Sequence, residues 1–364
     1  MALSRSPLNA VHRRLGAKMV EFGGWEMPLH YSGALAECNA VRTQAGLFDV
    51  SHLGKILIFG EAAGTSLDYL LPGKVAKLVP GAGAYNLVLN AEGGIVDDVF
   101  VYRISIGFII VPNASNADAV LGSLQSLVSE DVQVMDARKR SAILALSGPK
   151  ARDIVRNQFP HAADLSLHQI IDVDFQGSRC WVARSGYTGE VTFEFFVETD
   201  RAEALWSVFL EVGASQGLMP AGLGARDLLR LEMGYPLHGH EIDETTNPFE
   251  AGLAWVIDWD KEFAGRSVLE SLRSAGPDRL LTGMICTGKQ IPRQGQAVLQ
   301  VIGGSEPAQV GVVTSGNYSP TLKTPIALGY VKPSLAEPGT PLAIQVRDKT
   351  AEVRVIRPPF VKTT

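Results

Sequence analysis

The amino-acid sequence predicts an α+β protein with antiparallel sheets, followed by a small closed β domain near the C-terminus. Short strands follow one another through hairpin-type turns, and amphipathic helices lie between the groups of strands. From Gly283 onward, short strands, prolines and glycines replace the helical patterns. Because 364 residues exceed what one hydrophobic core usually serves, we expect two or three domains.

The N-terminal segment is predicted to alternate short helices with glycine-rich turns. Residues 8–15 are expected to form a first helix, and the 23–25 turn and the Met27-Pro28 step are expected to interrupt the chain. Gly46 closes a second predicted helix, 34–44. Two strands are then predicted, 47–50 and 54–59.

The central part carries a strand hairpin, because the turn signal Asn90-Ala91-Glu92-Gly93 separates two apolar segments. The predicted strands are 84–89, 94–102, 108–111, 141–146, 170–175, 179–183 and 191–197. The predicted helices are 116–129, 150–158, 201–216 and 225–233. A linker is predicted at 274–277, and the closed β domain is expected to contain strands at 311–314, 326–331, 342–346 and 351–356.

Composition and charge limit the kinds of partner. A formal net charge of -5 argues against a nucleic-acid-binding surface spread over the protein. The longest apolar runs, such as 108–111, are much shorter than the roughly 20 residues that span a bilayer, so we expect no membrane association. The three cysteines form no C-x-x-C pair and suit a reducing compartment. We expect a cytoplasmic chain of bacterial type; the basic N-terminal stretch makes an organelle presequence the weaker alternative.

Asp97 and Asp98 stand side by side in a segment that otherwise has the pattern of a buried strand. Neighbouring side chains on a strand point to opposite faces, so at least one carboxylate must face an interior or a cleft. A carboxylate there is costly unless it has a partner, a ligand or a proton. On this segment alone, a strand end whose aspartates cap a turn or meet an arginine explains the pair equally well.

Polar residues elsewhere favour the functional interpretation. Arg226 and Arg230 are four apart on one predicted helix, where they form either a surface ion-pair ladder or a guanidinium site for a carboxylate or a polar ring edge. Tyr187 lies on a tight turn and can offer a ring face, and Glu194 can accept hydrogen bonds from amino groups. Together with Asp98, these residues suit a planar, nitrogen-rich ligand.

Other motifs argue against several enzyme classes. No dinucleotide fingerprint, phosphate-binding loop or G-x-S-x-G elbow occurs in the sequence. His238-Gly239-His240-Glu241 could suggest a metal site, but glycine and proline surround it and no second ligand cluster has metal spacing. A polar turn that leaves a helix is the preferred interpretation, and we predict no metal site.

Seven segments in sequence order resemble the aminomethyltransferase family, the T-proteins of the glycine cleavage system, and the resemblance covers essentially the whole chain. Each segment alone is a weak signal, but seven in order are specific. The segments are GAKMVEFGGW (16–25), GLFDVSH (46–52), GGIVDD (93–98), SGYTGE (185–190), GARD (224–227), NPFEAGL (247–253) and VTSG (313–316).

The resemblance implies a three-domain cloverleaf with tetrahydrofolate as co-substrate in a central hole. The implied domains are a discontinuous α+β folate-binding domain, a ferredoxin-like α+β domain and a β-barrel, with boundaries 1–52 plus 141–275, 53–140 and 278–364. The implied reaction moves the one-carbon unit of an aminomethyl group from the lipoyl arm of H-protein to tetrahydrofolate, with release of ammonia and formation of 5,10-methylenetetrahydrofolate. The P- and L-proteins of the same system are the implied functional partners.

The resemblance also implies roles for individual residues. Asp98 is the implied catalytic carboxylate, and Asp97 is expected to be structural. The implied folate-binding residues are Glu194, Arg226, Tyr187, Asn113, Tyr85 and Tyr102.

Two alternatives remain beside the transferase. Relatives of this fold include folate-dependent demethylases of small methylated compounds. They also include non-enzymatic folate-binding modules with a functional cysteine in a Lys-Gly-Cys-Tyr-type signature. The corresponding segment here, Arg184-Ser185-Gly186-Tyr187, has no cysteine, so the binding module ranks last.

Overall fold

The computed structural model describes residues 3–127, 131–300 and 307–363. Its helices are α1 (Asn9–Arg14), α2 (Ala34–Thr43), α3 (Ala63–Leu70), α4 (Ala117–Leu127), α5 (Ala151–Gln158), α6 (Pro160–Ala163), α7 (Ala202–Gly213), α8 (Leu223–Met233) and α9 (Arg266–Ala275). Its strands are β1 (Ser4–Arg5), β2 (Lys18–Phe22), β3 (Trp25–His30), β4 (Ala45–Asp49), β5 (Ile56–Phe59), β6 (Gly83–Leu89), β7 (Ile95–Ile104), β8 (Gly107–Val111), β9 (Gln133–Asp136), β10 (Ser141–Ser147), β11 (Ile170–Phe175), β12 (Ser178–Arg184), β13 (Thr192–Glu198), β14 (Leu218–Pro220), β15 (Leu280–Cys286), β16 (Ala297–Gln300), β17 (Ala308–Ser319), β18 (Thr324–Val331), β19 (Pro341–Val346) and β20 (Lys349–Ile356). Among the helices described, none combines the length and the apolar character needed to cross a membrane.

The largest open sheet has the strand order β11-β12-β13-β10-β4-β14. Its pairings are antiparallel except that the short edge strand β14 runs parallel to β4. Leu144, Phe195, Trp206 and Phe209 belong to the core in which this sheet packs against α5, α6 and α7. Burial of such side chains contributes about 1.5–3 kcal/mol each, and this core holds β13 and β10 in register.

The second open sheet, in the order β6-β7-β8-β5-β9, is antiparallel throughout and fixes the direction of each side chain on β7. Val99 and Val101 belong to the core beneath α3 and α4. Phe100 and Tyr102 belong with the core that faces the six-stranded sheet. Because strand side chains alternate, Asp97 points toward the helices and Asp98 points the other way.

The C-terminal part is a closed barrel of six strands, in the order β15-β18-β17-β16-β19-β20. Met284, Val298, Ile344 and Val355 fill its interior and are essentially inaccessible to solvent. Closure satisfies the strand edges that an open sheet of this size would expose. The prediction of an α+β protein with antiparallel sheets and a small closed β domain is therefore confirmed, whereas the three domain boundaries stay a prediction.

Two predictions about local structure are wrong. The Met27-Pro28 step does not interrupt the chain but lies inside β3, which pairs with β2 across the Gly23-Gly24 turn. Pro28 is tolerated because the register shifts beside it, between Lys18 and Met19, where the ladder is already irregular.

The predicted linker at 274–277 is also too long, because α9, which the sequence did not predict, continues to Ala275 before Gly276 ends it at a φ of 77°. The predicted helix over 116–129 corresponds to α4, and its predicted end at Ser129 lies outside the described residues.

Gly94, just before β7, is required by packing. A Cβ at this position would lie 1.8 Å from the carbonyl oxygen of Glu244, so the backbone would have to move. We expect Gly94→Ala to lower the melting temperature and the activity together, because β7 carries Asp98. Gly122→Ala is the matched control: its Cβ would meet nothing within 4 Å, and alanine at this position of α4 should stabilise by up to about 1 kcal/mol. A melting temperature of Gly94→Ala equal to or higher than that of Gly122→Ala would contradict the steric role of Gly94.

Candidate active site

A cavity of about 1090 Å³ opens where the six-stranded and five-stranded sheets, α8 and the barrel meet, and strands β2 and β3 also line it. Its volume suits a ligand of substantial size, since small-molecule sites usually occupy roughly 300–1,000 Å³. The cavity brings together six of the seven predicted site residues, which come from distant parts of the sequence. They are Tyr85, Asp98, Asn113, Tyr187, Glu194 and Arg226.

Asp98 lies in the wall of this cavity and makes two side-chain hydrogen bonds. The Asn113 amide donates to its Oδ1 at 2.8 Å, and the Tyr85 hydroxyl donates to its Oδ2 at 3.2 Å. The same Asn113 amide also donates to Asp97 Oδ1 at 2.8 Å, so one side chain links both carboxylates. Asn113 and Tyr85 therefore fix the orientation of the Asp98 carboxylate.

Asp97 is fully buried on the opposite side of β7 and is held by three amide donors. The backbone N–H of Asn113 donates to Oδ2 at 2.9 Å, and the side chains of Asn113 and Asn116 donate to Oδ1 at 2.8 and 2.7 Å. Asp97 does not line the cavity. Its contacts tie β7 to the segment that leads from β8 to α4, which agrees with the structural role expected of it.

Both carboxyl groups hold their protons more tightly than usual. Burial is the main cause and raises the pKa of Asp98 to about 7, and the negative charge of Asp97 adds to this effect. Burial likewise raises the pKa of Asp97, although the amides of Asn116 and Asn113 oppose the shift. A carboxyl group that titrates near neutral pH in a cavity can both accept and donate a proton.

Glu194 projects from β13 into the cavity, with support from two hydroxyl groups. Ser185 donates to its Oε2 at 2.5 Å, and Tyr102 lies 3.5 Å from the same oxygen. Oε1 is therefore the oxygen that remains for a ligand. Tyr102 itself is fully buried and does not line the cavity, so the structure places it behind Glu194 and not beside the other predicted residues.

Arg226, in α8, lies with its guanidinium carbon 4.7 Å from the centre of the Tyr187 ring. The Tyr187 hydroxyl donates to the carbonyl of Pro236, and its ring stacks on Tyr235 with centroids 5.8 Å apart. These contacts fix the Tyr187 ring and the Arg226 cation against each other in the cavity wall. Tyr187 and Arg226 both line the cavity, so a ligand there can contact an aromatic ring and a guanidinium.

Arg230, one turn further along α8, keeps the ion pair with Asp227 that a helix-surface ladder would contain, at 2.8 Å, but its own side chain is buried. It is 1% exposed and donates to Glu241 Oε2 at 2.8 Å and to the Ser315 hydroxyl at 2.8 Å. Glu241 in turn accepts a hydrogen bond from Thr314 at 2.6 Å. This buried network joins α8 to strand β17 of the barrel and so fixes one wall of the cavity.

The mouth of the cavity carries large apolar side chains. Phe22, Leu35, Leu167 and Trp255 line the cavity, yet 38, 51, 62 and 69% of their respective surfaces are exposed. The Trp255 ring stacks on that of Tyr85, with centroids 5.8 Å apart. Exposed apolar side chains grouped in this way mark a contact surface for a ligand or a partner.

Four histidines in the cavity wall are absent from the predicted set, namely His52, His168, His238 and His240. His52 is 2% exposed, and its Nδ1 is buried without a hydrogen-bond partner among the described residues. Burial and the nearby Arg226 charge lower the pKa of His52 to about 3, so the ring is neutral at physiological pH. His52 lies in the GLFDVSH segment, so the resemblance carried a signal for it.

His238 and His240 also line the cavity, although the sequence favoured a simple polar turn for them. The described part of the chain contains no group of His, Cys, Asp and Glu residues that could hold a metal ion.

Comparisons with known proteins agree with this architecture. The family model for the GCVT N-terminal domain matches residues 8–261, and that for the glycine cleavage T-protein C-terminal barrel domain matches residues 279–362. The crystal structure of glycine cleavage system aminomethyltransferase T from Bartonella henselae superposes with a TM-score of 0.91 at 34% identity, over 99% of each chain.

Curated relatives are similar over their whole length. An aminomethyltransferase of Chlorobaculum tepidum is 41% identical over 99% of both chains. One of Frankia alni is 42% identical over 100% of this chain and 99% of its own. Since both family models and full-length relatives agree, the chain belongs to the aminomethyltransferase family, the T-proteins of the glycine cleavage system.

Proposed function

We propose that this protein transfers the one-carbon unit of the aminomethyl group on the lipoyl arm of H-protein to tetrahydrofolate. The products are ammonia, the reduced lipoyl arm and 5,10-methylenetetrahydrofolate. The observation that carries the proposal is a carboxyl group, Asp98, with its pKa raised to about 7 in the wall of a large cavity that aromatic and hydrogen-bonding side chains line. Family membership gives the reaction class, and this geometry supports it.

The cavity residues fit a reduced folate. Tetrahydrofolate supplies two amines, the ring nitrogen N5 and the side-chain nitrogen N10, and the one-carbon unit is transferred to both. Glu194 would accept hydrogen bonds from the amino edge of the pterin, because Ser185 and Tyr102 occupy only one of its oxygens. Tyr187 and Arg226 would pack against the flat ring.

Asp98 would act on protons at the reacting nitrogen. The Asn113 amide and the Tyr85 hydroxyl hold its carboxylate in one orientation, so no reorganisation is needed when the reaction begins. While it is ionised, the carboxylate stabilises the positive charge that develops at the one-carbon unit, and it then takes up the proton of the attacking amine. General acid–base catalysis of this kind contributes about 10²–10⁴-fold to a rate.

We expect the lipoyl arm of H-protein to enter past Phe22, Leu35 and Trp255 at the mouth. The arm is an apolar chain that ends in sulfur, and the exposed apolar side chains there offer it a matching surface. The P-protein would load the arm before this transfer, and the L-protein would reoxidise it afterwards. The cysteines Cys38, Cys180 and Cys286 are buried free thiols, which agrees with a reducing compartment such as the cytoplasm.

The direct test supplies the purified protein with aminomethyl-lipoyl H-protein and tetrahydrofolate. We expect equal amounts of ammonia and 5,10-methylenetetrahydrofolate. A parallel reaction replaces H-protein by a small N-methyl compound, the donor of a folate-dependent demethylase. A folate product from the small donor alone would contradict the proposal and favour the demethylase.

Glu194→Gln should weaken tetrahydrofolate binding about tenfold, since hydrogen bonds to charged groups contribute about 1.5–3 kcal/mol. Titration calorimetry with tetrahydrofolate under anaerobic conditions measures this change. Glu198→Gln is the matched control and should bind like the wild type, because Glu198 lies in the same strand but is exposed, and its side chain accepts a hydrogen bond from Ser178. Equal affinities for the two variants would remove Glu194 from the binding site.

A further inference from the structure

The loop after α8 returns His238 to the strand that carries Asp98. Its ring nitrogen Nε2 lies 3.3 Å from the carbonyl oxygen of Ile95, at the start of β7. His238 and Asp98 both line the cavity. The loop itself is fixed, because Glu241 accepts hydrogen bonds from Leu237 N–H at 3.0 Å and from Arg230 at 2.8 Å.

The contact with Ile95 decides which ring nitrogen of His238 is free. A carbonyl oxygen can only accept a hydrogen bond, so Nε2 must carry the hydrogen. In the neutral ring, Nδ1 then holds the lone pair. Among the described residues, none forms a hydrogen bond with Nδ1. His238 therefore offers a proton acceptor in the wall of the cavity.

His238 is also close enough to Asp98 to affect it electrostatically. Its positive charge, when present, lowers the pKa of Asp98 and so opposes the effect of Asp97. Tyr85, Tyr187, Arg230 and His240 are among the other charged or titratable side chains that line the cavity. His240 differs from His238 because its Nδ1 contacts Thr314 O at 3.2 Å and Ser315 Oγ at 3.3 Å, which ties it to the barrel.

The proposed reaction requires more proton movement than one carboxylate provides. Two C–N bonds form at the folate nitrogens, while the C–S and C–N bonds of the aminomethyl group break, without net oxidation. Both folate N–H protons must leave: one ends on the released sulfur and the other on the departing amine, which becomes ammonia. A single carboxylate would have to release its first proton before taking the second.

We infer that His238 is a second proton carrier beside Asp98, taking up one of these two protons on Nδ1 and returning it to the leaving group. This inference rests on the proposed function. It gives the two protons separate acceptors at one wall of the cavity, so neither transfer has to wait for the other. The His238-Gly239-His240-Glu241 motif thereby acquires a role in proton transfer and not in metal binding.

The first test is His238→Gln, which keeps an N–H donor for the Ile95 carbonyl but cannot carry a proton at neutral pH. We expect kcat to fall at least about tenfold, while KM for tetrahydrofolate changes less than about twofold. Water in the cavity can replace the imidazole in part, which limits the loss. Wild-type turnover in this variant would overturn the inference.

A second measurement needs no substrate. The Asp98 carboxyl is titrated by carbon NMR in the ligand-free protein, and its pKa should be higher in His238→Gln than in the wild type, because glutamine cannot take up the proton whose charge lowers the pKa of Asp98. An unchanged titration would overturn the inference even if turnover falls, since the loss would then reflect damage to the loop.

Chemical rescue separates proton transfer from packing. Free imidazole should raise the turnover of His238→Ala at least about tenfold but not that of His240→Ala, whose ring is tied to the barrel. Absence of rescue at His238, or equal rescue at both positions, would contradict the role. If the wild type itself fails to release ammonia from aminomethyl H-protein, the proposed function fails. If the wild type is active and the His238 variants turn over as fast as it does, only this inference fails.

Discussion

Asp98→Asn should lower the turnover of aminomethyl-lipoyl H-protein by at least about 10²-fold, while tetrahydrofolate binding is retained. Asparagine has nearly the same shape and can still accept the hydrogen bond of Tyr85 or Asn113, so the cavity wall should keep its form. What is lost is the ability to take up a proton and to stabilise positive charge. Ammonia release in a single turnover measures the chemical step, and calorimetry measures folate affinity. Near-normal turnover would remove Asp98 from the mechanism.

Asp97→Asn is the control on the neighbouring residue. Its turnover should fall much less, because Asp97 does not line the cavity. Its melting temperature should fall, since the new amide would place a donor against the donors of Asn113 and Asn116 and leave a buried group unpaired at about 1–3 kcal/mol. The pair thus separates a catalytic from a structural carboxylate. A larger loss of turnover in Asp97→Asn than in Asp98→Asn would reverse the assignment.

The raised pKa of Asp98 also has a consequence for stability. The folded protein holds the proton up to a pKa of about 7, whereas the ordinary value is 3.8. Between these values the unfolded chain binds fewer protons than the folded chain, so this group makes the protein less stable as pH rises from about 4 to about 7, with no further loss above that. Asp98→Asn lacks this group. Its melting temperature relative to the wild type should therefore rise across this interval and level off above it.

The sequence allows part of the site to be predicted, and the reason is strand geometry. Side chains alternate between the two faces of a strand, so the sequence alone predicts that Asp97 and Asp98 point in opposite directions. In the structure, β7 is paired on both edges and each of its faces meets a different core. Turn chemistry likewise predicts the hairpin that precedes β7. These features are local, so a short segment contains the information needed.

The rest depends on contacts between distant segments. Tyr102 lies on the same face of β7 as Asp98, as its position in the alternation predicts. The six-stranded sheet covers it, however, at Phe196, with ring centroids 5.9 Å apart. His238 lies 143 positions from Ile95 in the sequence, and only the fold brings them together. The ring of Trp255 stacks on that of Tyr85. Such contacts have no signature in hydrophobic periodicity, so residue-level predictions from one sequence miss them.

Arg230→Met should lower the free energy of unfolding by about 3–5 kcal/mol, a large effect for a single substitution. The guanidinium is 1% exposed and its partner carboxylate, Glu241, is equally buried, so loss of one leaves the other charge without compensation. Because α8 and the barrel meet through this pair and Ser315, we also expect the cavity to lose its shape. Differential scanning calorimetry at pH 7 should show a lower melting temperature. We also expect the barrel and the rest of the protein to unfold in two separate transitions and not in one.

Two further variants distinguish a buried charge from lost packing. Arg230→Met combined with Glu241→Leu removes both charges, so the double variant should be more stable than Arg230→Met alone, although Thr314 and the Leu237 amide lose their acceptor. Arg156→Met is the exposed control: its partners Asp153 and Asp164 are 59 and 76% exposed at the side chain, and the change should cost no more than about 1 kcal/mol. A double variant less stable than Arg230→Met would show that the pair contributes chiefly through its hydrogen bonds. The hydrogen bonds of Arg230 to Ser315 and of Thr314 to Glu241 would then add to those that Glu232 of α8 accepts from Ser319 and Thr321.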